Sequence, residues 1–188
     1  MLIRPAERRD FPEIADIYAP FVLDTRISFE LTPPDAAEMA RRWQVIVSKG
    51  YPYLVAVHEG EVAGFAYASQ YRTRAAYDWT VEDSIYLGQN WRGQGIGRRL
   101  LEELIDICVR LGFRQMVAGV STDPDTDFAK GSIAFHEALG FTQVATHPAV
   151  GFKTGAWVDV VFLQRALGDG ASSPPGQIKP WGSAHQRL

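Results

Sequence analysis

The stretch 84–101, SIYLGQNWRGQGIGRRLL, runs from a short apolar segment through a glycine-rich turn into a helical pattern. Arg92-Gly93-Gln94-Gly95-Ile96-Gly97 sets glycines at alternate positions, so the backbone turns tightly and several N–H groups converge on one point. The helix that follows adds the partial positive charge of its N-terminus, and Arg92, Arg98 and Arg99 flank the loop. A phosphate or pyrophosphate group is the expected occupant. Arg98 and Arg99 can equally be solvated cations at a helix start, since the turn is more diagnostic than side-chain charge.

Working outward, the helix from about Gly95 to Leu111 repeats Ile96, Leu100, Leu101, Leu104, Ile105 and Cys108 on one face and is stopped by Gly112. Cys108 reads as an inert core residue. Before the loop, Val81 to Leu87 has strand character. Still earlier, Leu54 to His58 and Val62 to Ala68 flank Glu59-Gly60-Glu61 as a hairpin. Residues 2–5 form a first strand; Asp10 and Glu13 have capping-box spacing, and a helix carrying Phe11, Ile14, Ile17, Tyr18 and Phe21 follows. A second helix is expected from Thr32 to about Lys49. The loop YRTRAAYDWT, 71–80, holds Arg72, Arg74, Tyr77 and Trp79, residue types that line a site. After the glycine-loop helix come a strand at 115–120, a long acidic turn with Asp123, Asp125 and Asp127, a short helix from Ser132, and strands at 141–145 and 157–164 joined by HPAVGFKTGA. From residue 168 the chain is rich in Gly, Pro and Ser with little to bury, so the expected organisation is one domain over 1–167 and a mobile tail over 168–188.

The bulk properties agree with one soluble domain. The 188 residues are 46% hydrophobic and 22% charged, with a net charge of -3, which argues against a nucleic-acid partner. A single cysteine forms no internal disulfide, MLIRPAERRD lacks a signal-peptide core, and no apolar run approaches the roughly 20 residues that span a bilayer. A cytoplasmic protein with no membrane partner is expected. The histidines His58, His136, His147 and His185 have no metal-ligand spacing, so no metal is expected.

The glycine loop after a strand and before a helix resembles the coenzyme loop of the GNAT superfamily of N-acetyltransferases. YPYLVAVHEGEVAGFAYAS, AYDWTVEDSIYL, FHEALGF and GFKTGAWVDV are similar to segments of its phosphinothricin and methionine sulfone N-acetyltransferase subfamily, over about residues 2–166. The resemblance implies a mixed α/β fold: a central, mostly antiparallel sheet splayed after the fourth strand, with helices on both faces. It implies acetyl-CoA as cosubstrate, bound by the backbone of Ile85, Tyr86 and Leu87, by Arg92, Gly93, Gln94, Gly95, Ile96, Gly97 and Arg98, and by Ser132. It implies a small-molecule amine acceptor, with Arg72, Thr73, Arg74, Tyr77, Trp79, Asp83 and Ser84 as acceptor-side residues and Phe29, Lys153 and Trp157 completing the pocket, and a homodimer.

The same resemblance implies Glu82 as general base and His136 as the group that protonates the departing thiolate. Strand alternation puts Glu82, Ser84 and Tyr86 on one face. The other readings are a Glu82 paired with Arg72 or Arg74, a His136 that packs over the coenzyme, and Tyr77 and Trp79 as hairpin core. Ala129 stands where the subfamily has a coenzyme-contacting asparagine, and the acidic turn precedes it. Acetylation of a protein N-terminus or a polyamine, or coenzyme binding without catalysis, are the competing functions.

Overall fold

The structure, a computed structural model, describes residues 1–123 and 127–184. Seven strands form one sheet: β1 (Leu2–Pro5), β2 (Tyr53–His58), β3 (Glu61–Gln70), β4 (Thr80–Leu87), β5 (Gln115–Ser121), β6 (Thr142–Lys153) and β7 (Ala156–Ala166). Their spatial order is β1-β2-β3-β4-β5-β7-β6, and every neighbouring pair is antiparallel except β4–β5. Helices α1 (Phe11–Leu23) and α2 (Ala36–Ser48) cover one face, and α3 (Ile96–Leu111) and α4 (Phe128–Glu137) the other. The splayed, helix-covered sheet expected from the resemblance is the architecture observed.

Burial on both faces explains the sequence of the central strands. In β2, Tyr53 and Val55 pack under α1 with Phe11, Ile14 and Phe65, while Leu54 and Ala56 pack under α3 with Leu100, Leu104 and Cys108. An unbroken apolar run is what a strand covered on both sides requires. Cys108 is fully buried, as its place on the helix stripe requires.

Local starts differ from the expected ones. Asp10 turns back to accept the Glu7 N–H at 2.7 Å and pairs with Arg4 at 2.7 Å, and Glu13 reaches across to the Val62 N–H, so the two acids do not form a box together. Helix α2 begins after Asp35, whose carboxylate accepts from the Glu38 N–H, rather than at Thr32, because two consecutive prolines hold the chain extended first. The segment HPAVGFKTGA is no open loop. Strands β6 and β7 run through it and turn at Thr154-Gly155, with a register shift between His147 and Gly151 that masks the alternation.

The chain beyond residue 167 also differs from expectation, since it finds a surface to bury. The Trp181 side chain joins the α3-side core, with Ile178 packed beside it. The Lys179 N–H donates to the Leu111 carbonyl, the Trp181 N–H to the Gly50 carbonyl, and the Trp79 indole N–H to the Gly176 carbonyl. One large aromatic ring anchors a segment that composition alone marks as polar. No helix among the described residues is long and apolar enough to cross a membrane. Trp181→Ala is expected to cost about 3 kcal/mol in urea unfolding, whereas an unanchored tail would leave stability unchanged.

Candidate active site

Strands β4 and β5 pair only through Thr80, Val81 and Glu82 with Gln115, Met116 and Val117, although β4 continues to Leu87 and β5 to Ser121. Past that point the two edges part and a cleft opens through the sheet. From the α1 side it is lined by Phe21, Ile27, Glu82, Ser84 and Tyr86, and from the α4 side by Asp83, Ile85, Ser132 and His136. A second lobe continues beneath the glycine loop, lined by Leu87, Arg92, Gly93, Gly97 and Phe135, and shares Phe21, Ile85, Phe128 and Ser132 with the first.

Close packing at two glycines holds the end of β4. Leu87 lies between Gly64 of β3 and Gly97 of α3: a Cβ at Gly97 would stand 2.9 Å from Leu87 Cδ1, and one at Gly64 would strike Leu87 Cδ2 and the Tyr86 carbonyl at 2.7 Å. Gly93 and Gly95 have φ of +75° and +76°, a region that a side chain strains, and the space beside both is open. No side chain caps the start of α3. Its first amides are therefore available to an anion. The Arg92 guanidinium lies over the rings of Phe21 and Phe128, at 5.1 and 5.3 Å, beside the loop. Gln94 folds back onto the Asn90 carbonyl, the Ile96 side chain belongs to the core, and exposed Arg98 pairs with Glu102. The Tyr86 ring packs against Tyr18 and Phe21, and its backbone lies on the β4 edge that β5 leaves unpaired.

The two acids of β4 face opposite sides of the splay. Glu82 is half-buried, and burial, with a smaller contribution from the neighbouring Asp83 charge, pushes its carboxyl above the usual range. Asp83 is buried with its Oδ2 3.3 Å from His136 Nε2, and His136 Nδ1 donates to the Ser132 carbonyl at 2.8 Å. Burial works against a charge on His136, but the Asp83 carboxylate and the Ser132 carbonyl outweigh it and raise the imidazole pKa. Ser84 stands on the Glu82 face, opposite Tyr67 of β3.

Arg72, Thr73 and Arg74 are exposed in the β3–β4 loop and, like Tyr77 and Trp79, are not among the residues lining either lobe. Arg72 lies over the rings of Tyr71 and Tyr77, Trp79 meets the C-terminal segment, and no salt bridge joins Glu82 to either arginine among the described residues. Of the acidic turn, Asp123 pairs with Arg26 at 2.7 Å and Asp127 with Lys130, Ala129 is buried at the start of α4, and Asp125, like His185, lies outside the described residues.

A second group of residues is joined by long-range bonds that no sequence motif marks, and it includes Lys153, expected from the resemblance at the acceptor pocket. Lys153 is buried and donates to the Val22 and Ser28 carbonyls at 2.7 and 2.6 Å, and Arg26 donates to Thr154 Oγ1 at 2.7 Å. Together with Arg26–Asp123 these bonds tie the loop after α1, the end of β5 and the β6–β7 turn into one wall of the cleft. Arg26 and its partners Asp123 and Thr154 lie on distant segments and have no spacing by which sequence reading could pair them.

The family model "Acetyltransferase (GNAT) family" matches residues 12–141. The chain belongs to that family and is an acetyltransferase. It is 42% identical over 173 residues to the phosphinothricin N-acetyltransferase of Alcaligenes faecalis, covering 92% of this chain and 86% of that one. It is 36% identical to the L-methionine sulfoximine/L-methionine sulfone acetyltransferase of Salmonella typhimurium, over 92% and 98% of the two chains. Among solved structures, a phosphinothricin acetyltransferase from Sinorhizobium meliloti in complex with AcCoA superposes with a TM-score of 0.88 at 46% identity, covering 96% of each chain.

Since a Cβ at Gly64 meets the Tyr86 backbone carbonyl as well as the Leu87 side chain, Gly64→Ala is expected to lower stability by about 2 kcal/mol. Thermal or urea unfolding reads this directly, and an unchanged midpoint would show that β4 is not held by that contact.

Proposed function

We propose that this protein transfers the acetyl group of acetyl-CoA to the α-amine of a small amino-acid analogue of the phosphinothricin and methionine sulfone or sulfoximine kind, with Glu82 as general base. The observation that carries the reading is the position of Glu82: the last residue of β4 paired to β5, half-buried, on the face of the splay opposite to His136. The residues of the second lobe fit the coenzyme. Two open glycines in the left-handed region, uncapped amides at the start of α3 and the Arg92 guanidinium suit a pyrophosphate, and Ile85, Leu87 and Phe135 offer an apolar floor to the arm that joins it to the thioester.

Acetyl-CoA supplies the acyl group as a thioester; the rest of the chemistry belongs to the chain. The unpaired edge of β4 beyond Glu82 offers backbone donors to an acyl oxygen. Glu82 takes a proton from the acceptor amine, directly or through a water, and its raised pKa brings its basicity nearer to neutral pH. His136, on the other face, gives a proton to the departing thiol sulfur. For the acceptor's carboxylate we assign Arg72 and Arg74. Trp79, where their loop rejoins β4, is three residues from Glu82, about 10 Å at strand spacing and within the span of an amino-acid analogue plus an arginine side chain.

A thiol-release assay with phosphinothricin, methionine sulfone and methionine sulfoximine tests the substrate class, and turnover of none of them would remove it. Glu82→Gln is expected to lower kcat/KM by roughly 10²–10⁴-fold. In the wild type the acid limb of kcat/KM should lie above the ordinary carboxylate range, because activity needs the deprotonated base and burial raises the pH at which it forms. A Glu82→Gln enzyme with an unchanged pH profile would exclude the base.

The same reading includes a homodimer. Strand β6 is an outer edge of the sheet, and Val144, Val150, Phe152 and Trp157 stand exposed on the last hairpin, with Phe29 and Leu31 exposed as well. An apolar, unpaired edge of this length needs covering. Light scattering should give twice the chain mass for the wild type and the single mass for Phe152→Asp/Trp157→Asp; a monomeric wild type would refute the assembly.

A further inference from the structure

We infer that Asp83 is the positioning residue for His136: its buried carboxylate orients the imidazole across the splay and keeps both ring nitrogens protonated through neutral pH. The inference rests on the reading of His136 as the proton donor on the thiol side of the cleft, and it assigns that donor's charge to a residue one position along the strand from Glu82.

The argument starts from the atoms. A backbone carbonyl only accepts, so His136 Nδ1, 2.8 Å from the Ser132 oxygen, carries a hydrogen. An ionised carboxylate also only accepts, so His136 Nε2, 3.3 Å from Asp83 Oδ2, carries one as well. Both side chains are almost fully enclosed, at 4% and 1% exposure. Burial disfavours a charged imidazole, but the Asp83 carboxylate and the Ser132 carbonyl outweigh it and hold the proton on His136. Asp83 Oδ1 has no hydrogen-bond partner among the described residues, which increases the need for a nearby cation.

The surroundings supply no competitor. Glu82, the adjacent residue, contributes further negative charge, and the Cys108 thiol of α3 is fully buried, its pKa pushed up by burial and by the Asp83 charge, so it stays neutral. Strand β5 brings Ala118 and Val120, and the turn after α4 brings the Phe141 ring, edge-on to the imidazole at 5.1 Å. Among the described residues His136 is the one salt-bridge partner of Asp83. Two adjacent residues of one strand thus serve the two sides of the splay: Glu82 can take a proton where the amine arrives, and Asp83 holds one ready where the thiol departs.

Long-range nitrogen–proton correlation spectra of the imidazoles test this without any need for turnover. In the wild type both nitrogens of His136 are expected to be protonated at pH 7.5, and in Asp83→Asn the titration midpoint of His136 should fall by about one pH unit or more. A neutral His136 in the wild type at pH 7, the signature of a proton on Asp83 instead, would overturn the assignment, as would an unmoved midpoint in Asp83→Asn. Coenzyme A binding by calorimetry confirms that the variant is folded. Where it is not, the wild-type spectra and Asp83→Ser carry the same decision. The base limb of kcat separates the two claims. A limb that moves down with the midpoint supports both, and a limb that stays while the midpoint falls removes the donor role of His136 and leaves the pairing standing.

Discussion

Everything in this molecule depends on the short parallel contact between β4 and β5. Three residues on each strand pair and then the strands diverge, leaving the rest of β4 without a neighbour on that side. A sheet edge inside a protein is costly, because every backbone group left unpaired must find another partner. Here the unpaired edge is the site. What keeps it open is packing on either side: Leu87 seated between Gly64 and Gly97 fixes the end of β4, and the bond of Arg26 to Asp123 fixes the chain just beyond β5.

The parting also puts two acidic residues that are adjacent in sequence into different surroundings. Strand alternation sends Glu82 to the α1 side and Asp83 to the α4 side, so one carboxylate meets a half-open, apolar-walled space and the other a closed pocket with an imidazole. Their environments push apart what their covalent chemistry makes alike. Burial raises the Glu82 carboxyl above its ordinary range, whereas Asp83 stands 3.3 Å from the His136 imidazole.

The outer parts of the fold hold this arrangement in place. Lys153 spans from the last hairpin to the Val22 carbonyl near the end of α1 and the Ser28 carbonyl in the loop after it, so the hairpin edge that stands exposed on one side is fixed to the cleft wall on the other. At the far end of the sheet the segment leading to Trp181 closes over Leu111 and Gly50 and touches the base of the aromatic loop through Trp79.

Local sequence determined a great deal. The glycine loop between strand and helix, the apolar runs of β2 and β3, and the stripe on α3 each follow from neighbours in the chain, and with the family resemblance they carried the fold. Patterns with a fixed period or a fixed turn geometry are written in consecutive residues and can be read there. The tertiary structure decided what has no period. It paired Asp83 with a histidine 53 positions away, joined Arg26 to Asp123 and Thr154, turned Lys153 into a clamp, and brought Trp181 into the core. It also left Arg72 and Arg74 exposed outside the cleft lining, and ran strands through the expected last loop. Long-range contacts between single side chains depend on how whole elements pack, and no local propensity encodes that.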